Sequence, residues 1–154
     1  MIIRRAKYED LETVLDLVKE LATYENAPQE VWATLKDYQD AYLNSDFEAM
    51  VVEVEENIVG ACIYYLTWST WKGRMLYLED LIIREAYRRM GLGQKLFDAF
   101  LDRARELRCT QVKWQVLDWN NPAIQFYEKN KASIEKEWWN GKIQLGKYAG
   151  TTES

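Results

Sequence analysis

Two kinds of chemistry meet in one stretch of this chain, Tyr77 to Leu96, reading YLEDLIIREAYRRMGLGQKL. Its first half sets Glu79 and Asp80 in an otherwise apolar run, where a carboxylate is costly to bury without a partner. Such a pair can bind a cation or take its proton, because neighbouring carboxylates raise one another's pKa. The structural alternative is an ion pair with Arg74 or Arg84. Alternate residues of a strand face opposite sides, so Glu79 and Asp80 can share one pocket only if a bulge interrupts the strand; otherwise Asp80 has a different role. The second half, Arg88 to Gly93, reads RRMGLG and heads an apolar-periodic segment. Glycines let a ligand approach the backbone, and the N–H groups of a helix start suit an anion such as a pyrophosphate. The turn is not a dinucleotide fingerprint, since Leu96 fills the third glycine place of GxGxxG, and the lysine-serine/threonine pair of a P-loop is missing. Taken alone, it reads equally as a glycine turn with surface arginines. Together the two halves suggest a cationic substrate meeting an anionic cofactor.

The elements that must position these groups follow from periodicity. Ile2 and Ile3 make a short first strand, and Leu11, Val14, Leu15, Val18, Leu21 and Ala22 recur at helical spacing. Pro28 breaks the pattern within Tyr24 to Trp32, and Thr34 caps a second helix through Leu43. Ala49 to Glu55 and Ile58 to Trp68 form a hairpin around Asn57; the loop Ser69 to Gly73 leads into a central strand, Met75 to Ile83. Leu92, Leu96, Phe100, Ala104 and Leu107 line one side of the next helix. A strand over Gln111 to Val116 and a short helix within Asn121 to Asn130 come next, with Pro122 at an early helical position. Ala132 to Tyr148 is expected to hold a final strand pair turning at Asn140 and Gly141. The resulting order is β-α-α-β-β-β-α-β-α-β-β, an α+β fold with three α/β/α layers around a mixed sheet.

At 154 residues and 48% hydrophobic content the chain fits one domain, 1–154. The charged Met1 to Asp10 segment, and the lack of any apolar run near the roughly 20 residues of a membrane span, argue against a signal peptide or anchor. A cytoplasmic protein with no membrane partner is expected. With no histidine in the chain, His-based zinc sites and Ser-His or Cys-His nucleophiles are excluded, and proton transfer falls to carboxylates, tyrosines and lysines. No metal is expected, and Cys62 and Cys109 read as core filling rather than a disulfide. A net charge of −5 disfavours nucleic acid and mildly favours cationic ligands.

Arg88-x-x-Gly91-x-Gly93 after an apolar strand resembles the R/Q-x-x-G-x-G/A signature of the GNAT superfamily of N-acetyltransferases. Asn120-x-x-Ala123-x-x-Phe126-Tyr127 resembles its second motif, and the predicted element order is the family's own. Within that family the chain is most similar to the diamine and polyamine (spermidine/spermine) acetyltransferases and the thialysine N-epsilon-acetyltransferases. The resemblance is carried by Lys19-Glu20-Leu21-Ala22, Tyr24-Glu25, Tyr64-Tyr65, Thr67, Trp71, Tyr77-Leu78-Glu79-Asp80, Trp119-Asn120 and Phe126-Tyr127.

The resemblance implies acetyl-CoA as cosubstrate and direct attack by a small diamine, polyamine or thialysine-like amine. Backbone groups of Leu81, Ile82 and Ile83 would hold the pantetheine arm, and those of Arg89, Met90, Gly91, Leu92, Gly93 and Gln94 the pyrophosphate, with Arg88 opening the signature and Asn120 contacting the cofactor. An alkylammonium cannot attack a thioester until a base takes a proton. Glu79 is expected in that role, directly or through water, with Asp80 and Glu25 holding the substrate's positive charges and Tyr24 and Trp71 completing its site. Tyr127, whose bland reading is core packing, would protonate the leaving thiolate. The resemblance also implies a homodimer in which Trp138 or Trp139 reaches the partner's site; Trp68, Trp71 and these two read equally as ordinary packing. Three departures stand out. Ser69 occupies a loop position where polyamine enzymes carry an acid, which favours a shorter diamine or a lysine-like amino acid. Lys131 replaces the glycine usual after the short helix, and the Ser133 to Ile143 segment is shorter than theirs. Competing readings are acetylation of another amine such as a protein N-terminus, and a non-catalytic module that binds CoA or polyamine.

Overall fold

A computed structural model describes residues 1–147 of the chain, which divide into two compact units, Met1–Trp114 and the residues from Gln115 onward. The first unit carries β1 (Ile2–Arg5), α1 (Leu11–Tyr24), α2 (Leu35–Leu43), β2 (Glu48–Val54), β3 (Asn57–Ser69), β4 (Gly73–Ile83), α3 (Leu92–Glu106) and β5 (Gln111–Lys113). The second carries α4 (Asn121–Lys129). Up to α4 the order is the expected one. No helix of the described residues is long and apolar enough to cross a membrane.

The five strands lie in the order β1-β2-β3-β4-β5, antiparallel except for β5, which runs parallel to β4. The alternation of β2 and β3 gives the sheet two apolar faces. One carries Ala49, Val51, Ala61, Ile63 and Ile82 and packs on Val14 and Leu17 of α1, with Tyr38 of α2 against the same cluster. The other carries Tyr64, whose ring meets Phe100 of α3 edge-on at 5.6 Å, both side chains fully buried. The first unit is therefore a three-layer α/β/α sandwich. Gly60 opposes Ile83 across β3 and β4, where a Cβ would lie 2.9 Å from the Ile82 carbonyl oxygen. Only glycine lets β4 approach this closely without displacing backbone. Cys62 is buried in β3, Cys109 is half-buried, and both are free.

Helix ends in this chain share one device. After α1, Asn26 adopts φ 61° while Ala27 N–H donates to Ala22 O at 2.8 Å. Ser45, Arg108 and Lys131 repeat the geometry after α2, α3 and α4. This is the Schellman arrangement, with a left-handed residue just past the helix. Lys131 thus occupies the usual glycine place without altering the turn, at a local cost of about 1 kcal/mol. At the other end of α2, Thr34 Oγ1 accepts from Asp37 N–H and Asp37 Oδ2 accepts from Thr34 N–H, the expected cap.

Downstream, the structure departs from expectation in two places. β5 stops at Lys113 rather than Val116, and residues 132–147 form no strand; Tyr148 lies outside the described residues. A two-stranded hairpin is marginal unless a further strand or a helix covers its apolar face. In this segment Trp138, Trp139, Ile143 and Leu145 stay exposed, and Asn140, the expected turn residue, instead accepts a hydrogen bond from Gln115 Nε2 at 2.6 Å.

Candidate active site

The pairing of β3 with β4 slips by one residue at the acidic pair. Ile63 pairs with Asp80 and Tyr64 with Leu78, so Glu79 is an extra residue with no partner of its own. This is the bulge that two adjacent carboxylates require to share a face. Asp80 takes the face of Ile63 and Ile82, the side covered by α1 and α2. Glu79 reaches the same side, where its Oε1 accepts from the Tyr65 hydroxyl at 2.8 Å. Tyr65 in turn stacks on Tyr77 at 5.4 Å. Neither arginine of the ion-pair alternative is engaged with the pair: Arg74 donates to the Leu107 carbonyl, and Arg84 pairs with Glu20.

Three carboxylates converge here. Asp80 is half-buried and its pKa is pushed up to about 7, by burial first and then by the negative charges of Glu79 and Glu25. Glu25 sits at the C-terminal end of α1, held there by its N–H bond to Leu21 O, and its own pKa is raised by burial. Tyr38 from α2 is pushed up to about 12, by burial and then by Asp80 and Glu79, so its phenol remains a donor facing the acids. Tyr65 and Tyr77 are raised in the same way, burial leading.

The Asp80 shift has a stability consequence. Its pKa in the fold lies above the ordinary value of 3.8, so the native state holds this proton more tightly than the unfolded chain. Stability is therefore withdrawn as pH climbs from about 4 to about 7. Asp80→Asn is expected to raise the unfolding free energy at pH 8 by about 1–2 kcal/mol, after allowance for solvent screening, and to leave it nearly unchanged at pH 3. Urea unfolding at the two pH values reads this directly.

The glycine turn stands where the sequence suggests, after β4 and at the head of α3. Gly91 caps α3 with φ 77° and brings no side chain of its own to the helix start, and the first turn contains no acid. First-turn N–H groups of a helix have no intrahelical acceptor. A Cβ on Gly91 would meet nothing within 4 Å, and one on Gly93 only Ile83 Cγ1 at 3.8 Å. Bare backbone and a positive helix end fit a pyrophosphate. Arg89 also holds a left-handed φ of 66° in this turn. Arg88 bonds the Ile83 carbonyl through Nε at 2.9 Å, and its guanidinium lies 5.5 Å from the centre of the Tyr24 ring. Parallel pairing of β4 with β5 covers only Met75 to Tyr77. Past Tyr77, including Leu81 to Ile83, this edge of β4 has no strand partner in its unit, and an exposed strand edge can accept amide groups of a ligand.

In the second unit, the Asn120 side chain accepts from Ala123 N–H at 3.3 Å and so caps α4; it is buried, as is Tyr127. Trp71 is exposed in the turn before β4, whose first residue, Gly73, lies about 20 Å along the strand from Glu79; the turn does not bring Trp71 to the acidic cluster. Tyr38 and Tyr65 were not among the expected site residues. Tyr38 sits on the apolar side of its helix and reads as core; Tyr65 had a legible signal, since its side of β3 faces the acidic strand.

These features coincide with what known proteins share. The model of the acetyltransferase (GNAT) family matches residues 11–131. A thialysine N-epsilon-acetyltransferase of Bos taurus is 33% identical across 91% of this chain and 89% of its own length. The spermidine/spermine N(1)-acetyltransferase-like protein 1 of Homo sapiens is 30% identical across 88% of this chain, which spans 21% of that protein. Among solved structures, an aminoglycoside acetyltransferase from an uncultured soil metagenomic sample superposes with a TM-score of 0.79 at 21% identity, over 94% of this chain and 96% of its own, and so shares the fold. With the glycine turn at the head of α3, the acidic bulge on β4 and a match running from α1 through α4, the chain belongs to the acetyltransferase (GNAT) family and is an acetyl-transfer enzyme.

Proposed function

We propose that this enzyme acetylates a primary amine of a small diamine, a polyamine or a thialysine-like amino acid, with acetyl-CoA as donor. The observation that carries the reading is the bulge at Glu79, which sets Glu79 and Asp80 on one face near Glu25, an anionic surface suited to an ammonium group. Acetyl-CoA supplies an activated acetyl thioester when bound. Leu81, Ile82 and Ile83 offer backbone groups to its pantetheine arm, and Arg89 to Gln94 offer theirs to its pyrophosphate, with Arg88 holding the turn. The carboxylate pair receives the ammonium and removes a proton, since only the neutral amine has a free electron pair. Tyr127 gives a proton to the leaving sulfur, and Asn120 holds the start of its helix.

A neutral, hydrogen-bonded serine at Ser69 favours short substrates, because no carboxylate there meets a distant ammonium; Ser69 Oγ instead accepts from Trp71 and Lys72 N–H. Homodimerisation belongs to the same reading, and the exposed Trp138, Trp139, Ile143 and Leu145 supply apolar surface for a second copy. Incubation with acetyl-CoA and a panel of diamines, polyamines and lysine analogues, read by mass spectrometry, is expected to give singly acetylated small amines. Acetylated peptide N-termini with no small-amine product would replace this reading; no product of either kind would leave a binding module.

A further inference from the structure

Within the acetyl-transfer reading just given, we propose that Asp80, rather than Glu79, takes the proton from the substrate ammonium, and that Glu79 is a fixed anion held beside it by Tyr65. Three observations separate two residues that the sequence presents as equals. Glu79 is exposed, and its Oε1 is occupied by the Tyr65 hydroxyl at 2.8 Å. Asp80 is half-buried, and among the described residues its carboxylate has neither a hydrogen bond nor an ion pair. The bulge places Asp80 opposite Ile63, on the α1/α2 side of the sheet. Groups facing it there are Glu25 from the end of α1, Tyr38 from α2, Tyr65 from β3, and Glu79 and Tyr77 from β4 itself. All are acids or phenols, so an arriving ammonium is the natural counter-charge. A pKa near 7 agrees with this assignment, since a base is most effective when it titrates near the working pH.

Asp80 accepts one ammonium proton and returns it to solvent. The freed nitrogen pair forms the C–N bond as the C–S bond breaks, and the electron pair of that bond leaves on sulfur. The second N–H proton lost on amide formation replaces the one Tyr127 gives to sulfur. The products are an N-acetyl amine, a thiol and one proton.

The test is the pH dependence of kcat/KM for the wild type, Asp80→Asn and Glu79→Gln, with acetyl-CoA affinity by calorimetry as the check on folding. Wild-type kcat/KM is expected to rise tenfold per pH unit and level off above about pH 7. Asp80→Asn is expected to lie about 10²–10³-fold lower on that plateau and to keep rising toward the amine's own pKa, about 10, because it must wait for free amine. Glu79→Gln is expected to keep the break but move it to lower pH, since the charge that raises Asp80 is gone, with KM for the amine increased. A break that survives in Asp80→Asn overturns the assignment, as does one abolished by Glu79→Gln while acetyl-CoA affinity holds. A wild type that acetylates no amine overturns the proposed function itself, a result distinct from either.

Discussion

Tyr127→Phe is expected to lower kcat by about 10²–10³-fold, the usual contribution of a positioned general acid, while the affinity for acetyl-CoA changes by no more than about threefold. The substitution isolates the hydroxyl. Tyr127 is buried in α4 with its ring edge-on to Phe126 at 5.3 Å, and phenylalanine preserves that contact. The backbone of residue 127 also closes the helix, its carbonyl accepting from Asn130 and Ala132 N–H, and these bonds do not depend on the side chain. A thiolate expelled without a proton donor is a poorer leaving group, so the loss belongs in turnover. Stopped-flow turnover and calorimetric titration with acetyl-CoA separate the two quantities. Equal losses in both would assign Tyr127 to binding or folding.

Gly93→Asp is expected to weaken acetyl-CoA binding by about 10²-fold without destabilising the protein. Two like charges about 4 Å apart near a protein surface repel by about 4 kcal/mol, and salt and a looser spacing reduce this. The side chain has room, because a Cβ on Gly93 meets only Ile83 Cγ1 at 3.8 Å. The helix itself gains from the change. A glycine within a helix costs up to about 1 kcal/mol relative to alanine, and an acid in the first turn contributes about 0.3–1 kcal/mol by facing the positive end. α3 carries no acid in that turn, although one would favour the helix. That omission is intelligible if the position faces a bound anion. Calorimetric Kd and thermal melting check the two halves, and a fall in melting temperature matching the loss of affinity would show that Gly93 serves packing instead.

Much of this architecture was legible because its signals are local. The helical spacing of Leu11 to Ala22, the cap at Thr34 and the hairpin around Asn57 each depend on neighbours within a few residues, and each recurs in the structure. The glycine turn was legible for the same reason, since Gly91 and Gly93 act through backbone geometry at their own positions. The strand pair expected after Ala132 shows the limit. Alternating apolar residues and an Asn-Gly turn specify the capacity to pair, but pairing needs an edge to dock on, and residues 132–147 make none within their own unit. The same limit hides Tyr38, whose phenol faces the acids only because α2 is laid on that side of the sheet.

The chain itself carries the chemical inventory: carboxylates at Glu79 and Asp80, a glycine-rich turn at the head of a helix, a tyrosine at 127, and no histidine to compete for proton transfer. It also posed a geometric condition, that a bulge must occur if both acids serve one pocket. Where that bulge falls, and what it does to each acid, follows from how the strands and helices pack together. The slip between Ile63 and Tyr64 depends on the partner strand, so no property of β4 alone could locate it. It turns Asp80 beneath α1 and α2, where desolvation and the charge of Glu25 raise its pKa, and it leaves Glu79 exposed, bonded to Tyr65. Two adjacent carboxylates that look equivalent in the chain differ in the fold because desolvation and charge act through space, between residues that the sequence sets far apart.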